Sequence, residues 1–330
     1  MANIIRESGL DWWTIVAPPL GVALDLALGD PRGWPHPVRA VGGLVRVTER
    51  GLRIILGKLG GGASGESLAG VVLVTVVVGI TAGLAWVATD LCARAGGPAV
   101  LAGHALLIYW GLAIRSLGDE TTRASEAPDL STARRELAQV VGRDTANLTE
   151  SEVARACVET VGENASDAIV APLFWLALLG PVGLWAYKAI NTLDSMVGYQ
   201  DARYRNLGKV AARLDDLANL APARLTWLLI ALAASLLGER GRAAFRVGWR
   251  DGRKHPSPNA AWGEAAMAGA LGVQLGGRST YAGTPVDKPR LGDPGPPIDR
   301  LTVRRAVRVM QVVALIAATL AFVAYVSIRA

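Results

Sequence analysis

Two cysteines, Cys92 and Cys157, are all that the chain carries. That excludes a disulfide framework and a cysteine metal site, so both read as small packed residues. Histidine is nearly as scarce, three in 330 residues, and no H-E-x-x-H or comparable zinc spacing occurs. No G-x-x-x-x-G-K-[ST] phosphate loop, internal repeat or defensible Ser-His-Asp order is present. GGGASG at 60–65 fits G-x-G-x-x-G, but no strand precedes it, and it reads as a linker. The N-terminal MANIIRESGLDWW interrupts its apolar residues with Arg6, Glu7 and Asp11, so no secretory signal is evident.

Charge is thin as well. Asp, Glu, Lys and Arg make up 19% of the chain, where a soluble domain has about 25%. The net charge of +6 would suit nucleic acid, but it equally suits a membrane protein with basic cytosolic loops. The hydropathy favours the membrane protein, and no nucleic-acid partner is expected.

Long uncharged runs are what the sequence does have. Ser67–Thr89, Ala95–Ile114 and Val309–Ile328 each reach the roughly 20 residues that a bilayer-crossing helix needs. Trp12–Leu28 is a weaker fourth, with Pro18, Pro19 and Asp25 inside it. Ala168–Tyr187 is long enough, yet Pro172 and Gly180-Pro181 interrupt it, and Leu225–Gly238 is short. Segments 29–66, 115–167 and 188–224 each hold six Lys or Arg, and 239–305 holds twelve. Keeping these segments cytosolic makes 168–187 and 225–238 re-entrant or protein-buried helices. The expected fold is therefore all-α: one polytopic integral membrane domain over 1–330. It has about four full spans, buried or re-entrant helices, and cytosolic helical segments with the polar motifs on the cytosolic side.

Residues 38–60 alternate at helical spacing, with Val41, Leu44, Val45, Leu52, Ile55, Leu56 and Leu59 opposite Arg39, Arg46, Arg50 and Arg53, the pattern of a helix lying on an anionic membrane surface. Residues 276–300 hold five glycines and five prolines, which predicts an irregular loop, a candidate lid or tether.

The chemistry concentrates where charge meets apolar runs. In VETVGENASDAIVAPLFW (158–175), Glu159, Glu163 and Asp167 recur every fourth residue beside Asn164. Helical spacing puts them in one stripe that repels itself unless a cation such as the Mg²⁺ of a nucleotide joins it. Lys188, Asn191, Asp194 and Ser195 follow within two turns, and RLDDLANL adds Arg213, Asp215 and Asp216. Asp and Asn are expensive near lipid, so their repetition there suggests a shared polar site. Two of the three histidines sit in His-Pro turns. One is GDPRGWPHPVRAVG, with Asp30, His36 and Arg39; the other is WRDGRKHPSPN, with Arg250, His255, Ser257 and Asn259. The bland alternatives are a solvated acidic face, helix caps and structural histidines. His104, inside a span, reads as a packing residue.

As an ordered set, these stretches resemble the adenosylcobinamide-phosphate synthase (CobD/CbiB) family of cobalamin biosynthesis. The matching pieces are GDPRGWPHPVRAVG, GLAIRSLGDE, VGRDTANLTESEVARACVETVGENASDAIVAPLFW, YKAINTLDSMVGYQDARY, ARLDDLANLAPARLT and HPSPNAAWGEAAMAGALGVQLGG. They cover most of 25–295. Small departures at Ala165-Ser166, Ala261 and Gly263-Glu264 leave the acidic stripe and the His-Pro positions intact.

The resemblance implies a ligase of the plasma membrane. It would join adenosylcobyric acid to (R)-1-aminopropan-2-ol or its O-phosphate, with ATP and Mg²⁺ and an acyl phosphate as expected intermediate. Expected partners beyond the substrates are membrane lipids and other late cobalamin-pathway enzymes. On that reading the metal ligands are Glu159, Glu163, Asn164, Asp167, Asp215 and Asp216. Substrate or nucleotide falls to Lys188, Asn191, Arg213, Arg250, Ser257, Asn259, Asp30 and Arg39. Proton transfer falls to His255, then His36, with Asp194 beside them. Two rivals stand at this point. A Mg²⁺-dependent intramembrane transferase on polyprenyl or CDP-alcohol substrates should show N-D-x-x-D or D-G-x-x-A-R, and neither occurs. A non-catalytic transporter or sensor should carry its polar residues inside the spans.

Overall fold

The computed structural model describes residues 11–330 apart from Arg32, Gly60 and Ala282. The N-terminal reading on residues 1–10 lies outside the described residues. The order is α1 (Trp12–Leu28), α2 (Pro37–Leu59), α3 (Ala63–Ala95), α4 (Gly97–Tyr109), α5 (Ile114–Ser125), α6 (Leu130–Leu137) and α7 (Glu150–Asn164). A π-helical stretch (Ala165–Val170) leads into α8 (Ala171–Val197). Then come α9 (Lys209–Ala218), α10 (Leu220–Leu236), α11 (Gly241–Asp251), α12 (Ala260–Leu271), β1 (Leu275–Tyr281), β2 (Thr284–Leu291) and α13 (Arg300–Arg329).

Local chemistry sets the boundaries. Thr149 and Glu152 form a reciprocal capping box that starts α7, and the Asp129 side chain accepts the Thr132 N–H that opens α6. α8 breaks where Gly180 takes a left-handed φ of 69°, just before Pro181. Proline has no N–H to offer the Ala177 carbonyl, and Arg329 Nη1 takes that acceptor instead at 2.9 Å. The Gly-Pro interruption read from the sequence is thus a true break.

Among the described residues, four helical stretches are long and apolar enough to cross a membrane: Ala63–Ala95, Gly97–Ser125, Glu150–Val197 and Arg300–Arg329; the bent pair Lys209–Ala218 and Leu220–Leu236 makes a fifth if it counts as one span. The chain is an all-α membrane protein with one small sheet among its described residues. The expected number of spans holds, but the set differs. Trp12–Leu28, at 17 residues, falls short of that length; Glu150–Val197 meets it, but its apolar window is 67% buried and the helix is broken at Gly180, in keeping with the protein-buried reading of 168–187.

Two compact units emerge: Met1–Ala113 with Ala171–Ala218 and Ala318–Ala330, and Ile114–Val170 with Asn219–Ala317. In the first, α1 packs on α4, and α8 packs on α2, α3 and α9. The start of the apolar side of α2, Val41 and Val45, is buried, whereas Ile55 farther along the same side is exposed. In the second, α12 packs on α7, α10 and α11, and the hairpin β1–β2 lies against α7 and α12.

The hairpin corrects the irregular loop expected over 276–300. Antiparallel pairing runs from Leu275↔Leu291 to Tyr281↔Thr284, with a bulge between Leu275 and Gly277. Gly276 and Gly277 both have positive φ, and a Cβ on Gly276 would lie 2.0 Å from the Pro289 carbonyl oxygen. The glycines that suggest disorder are therefore what lets the two strands pair.

Candidate active site

The second unit builds a charged core around one helix crossing. α7 and α12 meet at Gly162 and Gly263, where backbone lies on backbone: a Cβ on Gly263 would sit 2.2 Å from the Gly162 carbonyl oxygen. That approach brings the carboxylates on either side of Gly162, Glu159 and Glu163, close to Glu264.

The three have different fates. Glu159 is 3% exposed. Its Oε2 accepts from Arg143 Nη2 at 2.5 Å, its Oε1 accepts from the Gly276 N–H at 2.8 Å, and Arg155 Nε stands 3.8 Å away. Burial works against the Arg143 cation, but Glu159 outweighs it and holds the guanidinium above its ordinary pKa. Each oxygen of Glu159, read from the sequence as a Mg²⁺ ligand, accepts a hydrogen bond in this structure, one from Arg143 and one from the hairpin. Glu163 is exposed. Glu264 is 6% exposed, and burial, then Glu163 and Glu159, push its pKa well above the carboxylate range. Lys288 of β2 offsets this charge. Burial pulls its ammonium down, but a hydrogen bond with Tyr281 and the charge of Glu264 raise it on balance.

The hairpin is fastened to this core at both ends. Arg155 donates to the carbonyls of Gly276 (2.8 Å) and Arg278 (3.2 Å). Near the tip, Asp144 accepts from the Gly283 N–H and donates its own N–H to Thr280, each at 2.8 Å. The part of the candidate lid or tether that forms the hairpin is thus bonded to the core at both ends, and it carries Lys288.

Among the described residues no three His, Cys, Asp or Glu side chains converge as a metal cage. A cage is not what a nucleotide-bound Mg²⁺ needs, since one or two carboxylates plus phosphate oxygens suffice. Glu163 and Glu264 fit that requirement. Asn164 donates to the Thr160 carbonyl (3.0 Å), which leaves its Oδ1 an acceptor. Asp167 is half-buried in the π stretch, so straight α-helical spacing does not carry the stripe from Glu163 to it. π turns are frequent at functional sites.

The His255 turn precedes α12. His255 Nδ1 accepts from the Ser257 N–H (3.1 Å), and Ser257 Oγ accepts from the Asn259 N–H (3.3 Å). Asn259 Oδ1 accepts from Arg224 Nη1 at 2.6 Å. With Nδ1 accepting there, the neutral tautomer of His255 presents its N–H at Nε2. Arg250 is also redirected. It chelates the fully buried Asp251 (2.8 and 2.7 Å) and reaches Asp293 (2.6 Å), so its fork is spent inside the protein.

The first unit holds the remaining predicted residues. His36 repeats the His255 device: its Nδ1 accepts from the Val38 N–H (3.3 Å) while Nε2 faces Asp30 Oδ1 at 3.3 Å. Arg39 is exposed one turn on. Lys188, Asn191 and Asp194 run along α8, and a Cβ on Gly198 would lie 2.0 Å from Asp194 Oδ1. On α9, Asp215 and Asp216 are half-buried and Arg213 is exposed. Sequence reasoning missed Arg143, Glu264, Lys288 and Arg224. Glu264 had a signal, as the sole charge between Asn259 and Arg278.

The family model described as "CobD/Cbib protein" matches residues 19–310. The chain belongs to the CobD/CbiB family. A relative in this family, "Cobalamin biosynthesis protein CobD" of Geobacter metallireducens, is 51% identical over 292 residues, 88% of this chain and 90% of its own. "Cobalamin biosynthesis protein CbiB" of Salmonella typhi is 44% identical over 319 residues, 96% of this chain and 98% of its own. The CobD of Klebsiella pneumoniae is also 44% identical, over 327 residues. No solved structure matches the chain. Membership in CobD/CbiB sets aside the transferase and transporter readings.

Proposed function

We propose that this chain is the adenosylcobinamide-phosphate synthase of cobalamin biosynthesis. It joins the free carboxylate of adenosylcobyric acid to (R)-1-aminopropan-2-ol or its O-phosphate at the expense of ATP. The observation that carries the reading is the Glu163–Glu264–Lys288 group around the α7–α12 crossing, in a chain whose relatives are cobalamin biosynthesis proteins.

A carboxylate does not acylate an amine unaided. Bound ATP would supply the phosphoryl group that activates it, and Mg²⁺ would neutralise the phosphate charge. Glu163 and Glu264 would hold the metal. Lys288, fixed by the hairpin, balances the negative charge beside them. Arg143 and Arg155 hold Glu159 and the hairpin, and so position Lys288 without touching substrate. His255 Nε2–H serves as a hydrogen-bond donor to substrate. We place the protein in the plasma membrane with its basic segments on the cytosolic side, where ATP is found.

The test is detergent-purified protein incubated with adenosylcobyric acid, Mg²⁺–ATP and either amine, read by mass spectrometry. Wild type should give the amide, and Glu163→Gln and Glu264→Gln at matched folding should not. Product from both variants would remove the carboxylate pair from the reaction.

A further inference from the structure

Five of the positive charges on α10, on α11 and in the turn before α12 fall into two classes. Arg246, Arg250 and Lys254 are matched by carboxylates: Asp293 at 3.6 Å, Asp251 and Asp293 at 2.7 and 2.6 Å, and Asp251 at 2.6 Å. Arg224 and Arg253 differ. Among the described residues neither pairs with a carboxylate. Arg224 bonds three uncharged acceptors, Leu220 O, Asn259 Oδ1 and Pro258 O, which leaves two of its five N–H groups. Arg253 is exposed and lies over two rings, Trp249 at 4.9 Å and Trp262 at 5.9 Å. Arg224 lies over the same Trp262 ring at 4.9 Å. Two guanidiniums share one indole with no anion between them, a repulsive arrangement that a bound anion would relieve.

A third feature points to the same place. α12 begins at Ala260, and its capping residue Asn259 makes no side-chain hydrogen bond to the first turn. The Oδ1 that would cap the helix is turned to Arg224 instead. The positive end of the α12 dipole is thereby left without a side-chain cap, beside two cations and the Nε2–H of His255.

We propose that Arg224, Arg253, His255 and the N-terminus of α12 form a binding site for a substrate phosphate group. The ligand class is a phosphate ester, of the amino alcohol or of the nucleotide. This rests on the ligase reading for the identity of the substrates, though not for the site itself. Arg253 is the group that moves. It leaves the indoles to fork onto the phosphate oxygens, which is chemistry that lysine reproduces poorly. Glu264 lies four residues into α12, so the phosphate would sit near the carboxylate pair proposed for the metal.

The experiment compares wild type, Arg253→Ala and Arg253→Lys in detergent. KM is measured separately for aminopropanol O-phosphate, for aminopropanol and for ATP. Arg253→Ala should raise one phosphorylated substrate's KM by about tenfold or more, the scale of one charge-assisted contact. The KM for unphosphorylated aminopropanol should not change. A rise on the amino-alcohol phosphate assigns the site to the amine, and a rise on ATP assigns it to the nucleotide. If Arg253→Ala misfolds, Arg253→Lys should show a smaller rise on the same substrate. Unchanged KM for both phosphorylated substrates overturns the proposal.

A second readout needs no turnover. Inorganic phosphate and aminopropanol O-phosphate should change the tryptophan fluorescence of wild type as Arg253 leaves Trp249 and Trp262, and should not change that of Arg253→Ala. If wild type makes no product with either amine, the ligase reading fails. The site still stands if fluorescence responds, and falls if it does not.

Discussion

Gly263 meets Gly162 with no room for a methyl group between the two helices. A Cβ on Gly263 would lie 2.2 Å from the Gly162 carbonyl oxygen, which is backbone and cannot rotate aside. Gly263→Ala should therefore push α12 off α7, at a cost of about 1–3 kcal/mol. Glu264 would move with it. The expected result is a lower melting temperature in detergent together with loss of amide product. A variant of wild-type stability that also retained turnover would show that the crossing tolerates a wider gap.

Glu264→Gln should separate stability from activity. A carboxyl whose folded pKa lies above its unfolded value makes the fold less stable as pH rises from the unfolded pKa toward the folded one. Removing that titration should raise the melting temperature of the ligand-free protein at pH 7 and have little effect below the unfolded value. The same substitution should abolish product. Equal melting curves at pH 7 would mean that Glu264 is ionised without penalty.

Arg143→Met leaves Glu159 buried with one cation fewer. Stranding a buried charge typically costs about 3–5 kcal/mol. Glu159→Gln in the same chain should recover part of the loss, because no charge then remains to be compensated. A double-mutant cycle by denaturant unfolding measures this coupling. Strict additivity would contradict the pairing.

Asp251 supplies a pH signature. Burial opposes its charge, but hydrogen bonds from Arg250, Lys254 and the Gly292 N–H hold its pKa at about 2, against an ordinary 3.8. A depressed carboxylate pKa contributes stability that is complete above the unfolded value and fades as pH falls through the folded one. The contribution is about 2 kcal/mol. Asp251→Asn should therefore melt well below wild type at pH 6, and the gap should narrow as pH drops from about 4 toward 2. A gap independent of pH would assign the loss to packing.

Much of the fold was legible because apolar runs and breakers act locally. The uncharged stretches became helices, and Gly180-Pro181 broke α8 where it had to, since Pro181 cannot serve the Ala177 carbonyl. The hairpin was hidden because glycine and proline signal turns by composition, whereas the pairing of Gly277 with Lys288 is a tertiary event. In the site, spacing placed Glu159 and Glu163 near each other but could not separate their roles. The partners that settle Glu159, Arg143 and Gly276, lie far along the chain on either side. The two His-Pro turns stood out by rarity, yet their protonation followed only from the backbone N–H groups that Nδ1 accepts.

Arg143 and Asp144 are adjacent residues with distant grips: one holds the carboxylate of α7, the other holds the tip of the hairpin. The dipeptide therefore works as a gauge block between helix and sheet. Any displacement of the chain at 143–144 must carry the Glu159 anchor and the strand bearing Lys288 together. A single peptide unit thus ties the Glu159 anchor to the hairpin that carries Lys288.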